Sequence, residues 1–313
     1  MPHQDTQTAS AASKSSASGR YLTIGLNRID ATAYGSDGTL AACENDARDM
    51  ASLASTAGFT GKTLLTEQAT SSAVLGEIAQ AGVELQPGDI FVLTYSGHGG
   101  QVGDVSDDEL DVLDETWCLF DRQVVDDELY ALWTKFRPGV RIVVFSDSCH
   151  SGSVVRALAR ELCLPSLKAA FTALSRDTVM IGRLHEARRK VIGAAPTGVP
   201  KALPFEVCWA NYLKYRQTYD SLQIVAGPSS KANVAATVLL ISGCQDDQLA
   251  LDGSQNGAFT EQLKHVWNGG SFTGNYEAFQ RAIRDRLPKS QVPNYLVEGG
   301  PNPAFEAQRP FTI

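Results

Sequence analysis

Two apolar runs, Ile90-Phe91-Val92-Leu93-Thr94-Tyr95 and Ile142-Val143-Val144-Phe145, constrain the fold of this chain more than any other feature. Both are short and rich in β-branched and aromatic residues, and both give way to small and polar residues. Apolar runs without polar alternation read as strands buried on both faces, as in a parallel sheet covered by helices. Leu40–Ala57 and Ser71–Leu85 carry helical periodicity and stop at Gly58 and at Pro87-Gly88. Further strands are expected over Tyr21–Leu26, Val238–Ser242 and Tyr295–Val297, and further helices over Asp126–Phe136, Gly257–Trp267 and Tyr276–Leu287. This alternation predicts an α/β fold with a mostly parallel central sheet.

The residues that end the two runs carry the chemistry. The first continues as Ser96-Gly97-His98-Gly99-Gly100, the second as Ser146-Asp147-Ser148-Cys149-His150-Ser151-Gly152. Parallel sheets place their functional loops at the carboxyl ends of the strands, so His98 and Cys149 are expected at one sheet edge. A cysteine and a histidine brought together suffice for thiolate attack on a carbonyl. A lone cysteine is more often a buried packing residue, but Cys149 is flanked by Asp, Ser, His and Gly. His150 adjoins the cysteine, yet neighbouring side chains point apart, and the base is expected at His98. Cys244 is expected to pack near the site.

Composition narrows the classes. With 313 residues and 43% apolar content, the chain has room for one large α/β domain or two small ones. A net charge of −8 argues against nucleic-acid binding. No stretch reads as a membrane span or a signal peptide. The cysteines (43, 118, 149, 163, 208, 244) show neither metal-type spacing nor a disulfide pattern, so a reduced, cytoplasmic protein is expected. Residues 1–19 read as a disordered tail, 20–165 as the half carrying the dyad, 166–235 as a helical or irregular linker or insertion, and 236–313 as the half that completes the domain.

Tyr95-Ser96-Gly97-His98-Gly99 together with Asp147-Ser148-Cys149-His150-Ser151-Gly152 resembles the dyad signature of the metacaspases, including the bacterial orthocaspases, among the caspase-like cysteine peptidases. Cys43-Glu44-Asn45-Asp46, the acidic positions Asp111, Asp114-Glu115, Asp121 and Asp126-Asp127-Glu128, and Ile241 to Gln248 with Asn256 to Thr260 extend the similarity over roughly residues 20–300. The resemblance implies a three-layer α/β/α sandwich and an endopeptidase that cuts after Arg or Lys and processes itself. It makes Cys149 the nucleophile and His98 the base, with the backbone N–H groups of Gly99 and Cys149 as oxyanion donors. It also implies an acidic pocket from Cys43, Asp46, Ser96 and Asp147, in which two carboxylates would face a guanidinium or ammonium.

From Asp104 to Glu128 there are eleven carboxylates and one basic residue, Arg122, an oxygen-rich composition suited to calcium. By the resemblance, Asp114, Asp126 and Asp127 match three of four metal ligands, but the fourth position holds Arg156. No cofactor is therefore expected to be required, and calcium is expected to matter little. Arg176, Arg183, Arg188, Arg189, Lys190 and Lys201 are candidate self-cleavage sites. The expected partners are peptide or protein substrates, with neither nucleic acid nor membrane, and the chain is expected to be a monomer. A thiol acyltransferase or peptide ligase on the same dyad, and an interaction protein that keeps the fold but cleaves little, stay open as alternatives.

Overall fold

The computed structural model describes residues 17–103, 113–149, 199–226, 233–245, 248 and 250–313. In chain order the first half contains β1 (Gly19–Gly25), α1 (Ala31–Tyr34), α2 (Cys43–Thr56), β2 (Thr60–Leu65), α3 (Ser71–Glu84), β3 (Ile90–Ser96), β4 (Gly99–Gly103), β5 (Leu113–Cys118), β6 (Gln123–Val125), α4 (Asp126–Trp133) and β7 (Arg141–Asp147). The second contains β8 (Val199–Pro200), α5 (Phe205–Lys214), α6 (Arg216–Ala226), β9 (Thr237–Ser242), β10 (Leu251–Asp252), α7 (Ala258–Trp267), α8 (Tyr276–Arg284), β11 (Asn294–Gly299) and α9 (Pro303–Ala307).

The central sheet has the order β11-β9-β7-β3-β1-β2. It is parallel except for β11, which runs antiparallel to β9 at the edge. Both apolar runs lie in its middle, and the period of two divides them between the faces. Phe91, Leu93, Tyr95, Ile142 and Val144 pack with Val74, Ile78 and Ala81 of α3 and with Leu132 and Trp133 of α4. Ile90, Val92, Val143 and Phe145 pack the other way, with Met50 of α2, Phe259 and Leu263 of α7 and Phe279 of α8. Helices on both faces make the expected three-layer sandwich, and each face demands its own apolar set, which is why the strands show no polar alternation.

Several details differ from the sequence expectation, β2 at the sheet edge among them. The acidic stretch after His98, in which no strand is expected, holds an antiparallel sheet β4-β5-β6. Its glycine-rich β4, three-residue β6 and acidic β5 lack the apolar spacing that marks longer strands. β1 begins at Gly19, inside the stretch read as a tail, because Gly19 pairs with Ile90 of β3. Residues 1–16 lie outside the described residues. Among those described, no helix is long and apolar enough to cross a membrane.

Candidate active site

Strand register delivers the two reactive side chains to one edge. Ser96, the last residue of β3, is level with Asp147, the last of β7, so His98 and Cys149 each stand two residues past the same rung. β2 lies on one side of β1 and β3 on the other, and such a reversal opens a crevice at the carboxyl ends of the strands. His98 Nε2 lies 2.9 Å from the Gly38 carbonyl oxygen. A carbonyl only accepts, so the Nε2–H is the donor in this contact, and proton exchange with a thiol falls to Nδ1. The backbone around His98 is fixed as well: its carbonyl accepts from the Tyr95 hydroxyl at 2.7 Å and from the Cys118 N–H at 2.9 Å, and the Tyr95 ring stacks on Trp117 at 4.5 Å.

Cys149 is fully buried, packed with Ala202, Cys244 and Ala250. Its thiol lies 3.6 Å from the Ala250 carbonyl. Hydrogen bonding to the Cys149 thiol, together with burial, holds Cys244 well above the ordinary thiol range. Cys244 is thus a protonated neighbour, in keeping with the packing role expected of it. Burial likewise pushes the Cys43 thiol up to about 12, which suits a wall residue and not a nucleophile.

Asp46, Asp147 and Ser96 converge behind the two strand ends, and a residue from far along the chain sits among them. Lys201, 0% exposed, places its Nζ 2.9 Å from Asp46 Oδ2, 2.9 Å from Ser96 Oγ and 3.1 Å from Asp147 Oδ2. The three ammonium donors thus meet three acceptors. Asp46 and Asp147 are 1% and 2% exposed, so Asp46 is no solvated helix-start aspartate. Burial alone would lower the Lys201 pKa, but the carboxylates of Asp147 and Asp46 outweigh it and hold it well above an ordinary lysine. Burial pushes the Asp147 carboxyl up, with Lys201 pulling the other way.

The second half of the chain supplies the backing. The Asn256 side chain and the Gly257 N–H donate to Asp46 Oδ1 at 2.9 and 3.0 Å. The Thr260 hydroxyl and N–H donate to Asp147 Oδ2 at 2.9 and 3.2 Å. No protein donor among the described residues reaches Asp147 Oδ1. Sequence reasoning named the stretch Asn256 to Thr260 only as part of a resemblance and gave its members no role in the pocket. Gly38 and Tyr95 carried no signal of their own as supports of His98.

The main chain of Lys201 is positioned as closely as its side chain. Its carbonyl oxygen accepts from the Gly99 N–H at 2.9 Å and from the Cys149 N–H at 3.2 Å, the two donors expected to form an oxyanion hole. Its N–H donates to the Ala250 carbonyl at 2.9 Å, and the Leu203 N–H donates to the Gly99 carbonyl at 3.0 Å. β8 pairs antiparallel with β10 just before it, Pro200 opposite Leu251. A segment bound through a basic side chain, its own carbonyl and flanking backbone pairing has the bearing of a peptide substrate.

Of the positions matched to calcium ligands, Asp114, Asp126 and Asp127 lie among the described residues. Asp114 lies buried on β5 opposite Val102, and Asp126 and Asp127 open α4; among the described residues no three His, Cys, Asp or Glu side chains converge as a metal-holding group. Arg156, His150 and the candidate cleavage residues Arg176, Arg183, Arg188, Arg189 and Lys190 lie outside the described residues.

Comparison with known proteins adds an independent line. Residues 22–305 match the family model of the caspase domain. Metacaspase-1A of Aspergillus fumigatus is 35% identical over 254 residues, which cover 76% of this chain and 57% of that protein. This chain spans about half the length of the curated relatives it matches. A crystal structure of protein GSU0716 from Geobacter sulfurreducens is 45% identical and superposes with a TM-score of 0.78, covering 95% of this chain and 99% of that one. Caspase-1 from Spodoptera frugiperda shares the fold at 8% identity, with a TM-score of 0.50 over 91% of this chain and 87% of its own.

Proposed function

This chain belongs to the caspase-domain family, and from that premise we propose that it is a cysteine endopeptidase cutting peptide bonds after Arg or Lys. The observation that carries the reading is Lys201: a basic side chain lies between two buried carboxylates while its carbonyl faces the N–H groups of Gly99 and Cys149. A substrate would present its own basic residue in the same place. His98 Nδ1 takes the thiol proton, the Cys149 sulfur attacks the carbonyl carbon, and the two N–H groups stabilise the charge that develops on oxygen. His98 then returns the proton to the leaving amine, and water releases the acyl group.

The pocket also ranks substrates. Lys201 uses all three of its donors and leaves Asp147 Oδ1 without a protein donor. A guanidinium has five donors and reaches further acceptors, so Arg is favoured over Lys. Aspartate would meet Asp46 and Asp147 as a third negative charge. No metal takes part in this reading, since the chemistry needs only thiol, imidazole and backbone donors.

Fluorogenic peptides ending in Arg, Lys or Asp test this directly. Hydrolysis is expected in the order Arg, Lys and then, far behind, Asp, and it is expected to vanish in Cys149→Ala and His98→Ala. Preferential cleavage after Asp, or full activity without Cys149, would overturn the proposal.

A further inference from the structure

Resting on the assignment of Cys149 as nucleophile, we propose that Cys244 is its resolving thiol. Hydrogen peroxide oxidises Cys149, and a Cys149–Cys244 disulfide then holds the peptidase off until a thiol reductant reopens it. Peptide hydrolysis gives Cys244 no task, yet the fold sets it against the reacting sulfur. β7 and β9 are parallel neighbours, with Ser146 level with Ser242. Cys149 follows that rung by three residues and Cys244 by two. Neighbouring strands lie about 4.8 Å apart, inside the range of about 4.4–6.8 Å between Cα atoms that a disulfide spans.

The two thiols pack in one small buried cluster with Ala202 and Ala250 and lie within hydrogen-bond reach of each other. The Cys149 thiol donates to the Ala250 carbonyl at 3.6 Å and the Cys244 thiol to the Ser148 carbonyl at 3.5 Å, so each sulfur rests against the other's loop. The backbone on the Cys244 side is fixed. The Gly243 N–H donates to the Ser146 carbonyl at 2.7 Å, the Gln291 side chain to the Gly243 carbonyl at 3.1 Å, and the Ser242 hydroxyl to the Cys244 carbonyl at 3.0 Å. A resolving thiol held in this way is already beside its partner.

Reactivity singles out Cys149 as the sulfur oxidised first. The thiolate is the form that peroxide attacks. Burial pushes the Cys43 thiol up to about 12 and holds Cys118, beside Cys208, well above the ordinary thiol range. Those thiols stay protonated, whereas Cys149 shares its sheet edge with a base, His98.

The step balances with one peroxide. His98 takes the Cys149 proton, the sulfur attacks a peroxide oxygen, the O–O bond breaks, and the departing hydroxide recovers the proton from His98 as water. Cys149 is then a sulfenic acid, oxidised by two electrons. The Cys244 sulfur attacks the Cys149 sulfur, the S–S bond forms, and the S–O bond breaks. The leaving oxygen departs as a second water with the Cys244 proton. A dithiol reductant returns both sulfurs to thiols and is itself oxidised to a disulfide.

The test treats the full chain with hydrogen peroxide, then with dithiothreitol, and follows hydrolysis of an Arg-terminated fluorogenic peptide beside non-reducing peptide mapping. Wild-type activity should fall at least about tenfold as the Cys149–Cys244 disulfide accumulates, and dithiothreitol should restore it. Cys244→Ala should hydrolyse the peptide before oxidation and lose that activity beyond rescue, as Cys149 passes on to the sulfinic acid. If Cys244→Ala does not fold, the wild-type map and recovery decide the question. A disulfide through any other pair of cysteines, or recovery of Cys244→Ala to the wild-type extent, would overturn the inference. So would a wild type that keeps its activity in peroxide or loses it beyond rescue. Each of these outcomes leaves the peptidase reading standing. Absence of hydrolysis by the reduced wild type would overturn that reading instead, and the disulfide map would then decide the thiol pairing by itself.

Discussion

Gly38 and Gly257 serve the site through the side chain each one lacks. Gly38 has φ of +50°, in the left-handed region, and a Cβ there would lie 3.2 Å from His98 Cδ2. Its carbonyl fixes the proton on His98 Nε2. Gly257, just before α7, turns its N–H toward Asp46, and a Cβ there would overlap both Lys201 Nζ and Asp147 Oδ2. Gly257→Ala should therefore crowd any basic side chain entering the pocket. Overpacking of this kind costs about 1–3 kcal/mol, roughly 5- to 150-fold in kcat/KM for an Arg peptide, with most of the loss in KM. Steady-state kinetics on one peptide check this, and an unchanged KM would mean that the substrate's cation lies elsewhere.

Among the elements, β5 and α4 matter most for metal dependence. Asp114 and Asp127 are buried, and Arg122 clamps Glu128 of α4 through two hydrogen bonds of 2.7 and 2.8 Å. That pair, with the β5–β6 ladder, holds the start of α4 through protein contacts. Peptide hydrolysis is therefore expected to persist in excess chelator and to rise less than about twofold on adding millimolar calcium, against the requirement of six to eight oxygens for that ion. An enzyme silent in chelator and restored by calcium would show that metal organises this region.

For the whole molecule, the contact of Lys201 with Asp46 and Asp147 ties a segment before α5 to α2 and β7 across the full chain. The folded chain holds the Lys201 proton more tightly than the unfolded chain, which releases it near the ordinary value of 10.5. Stability from this group is thus fully present below that pH and is lost as pH rises toward the higher folded value. In the uncut Cys149→Ala background, Lys201→Met leaves two buried carboxylates without their cation, a loss of about 3–5 kcal/mol for a broken buried pair. Urea unfolding at pH 8 should show that gap clearly, and at pH 11 the gap should narrow. A gap of equal size at both values would mean that the ammonium charge contributes nothing.

Local pattern alone sufficed for the strands at Ile90 and Arg141, the helices from Ser71 and Tyr276, and the placement of His98 and Cys149 just beyond two strand ends, because apolar period and breaker residues are local properties. Resemblance added Asp46, Ser96 and Asp147 as a group, and the structure places them around one ammonium. The β4-β5-β6 sheet emerged only in the folded chain, because its short strands gain their stability from partners. Folding likewise joined Asn256, Gly257 and Thr260 to the carboxylates and seated Lys201 between them. Ion pairs and hydrogen bonds between residues distant in sequence leave no periodicity to read. One lysine among several basic residues becomes special only through the charges that folding gathers around it.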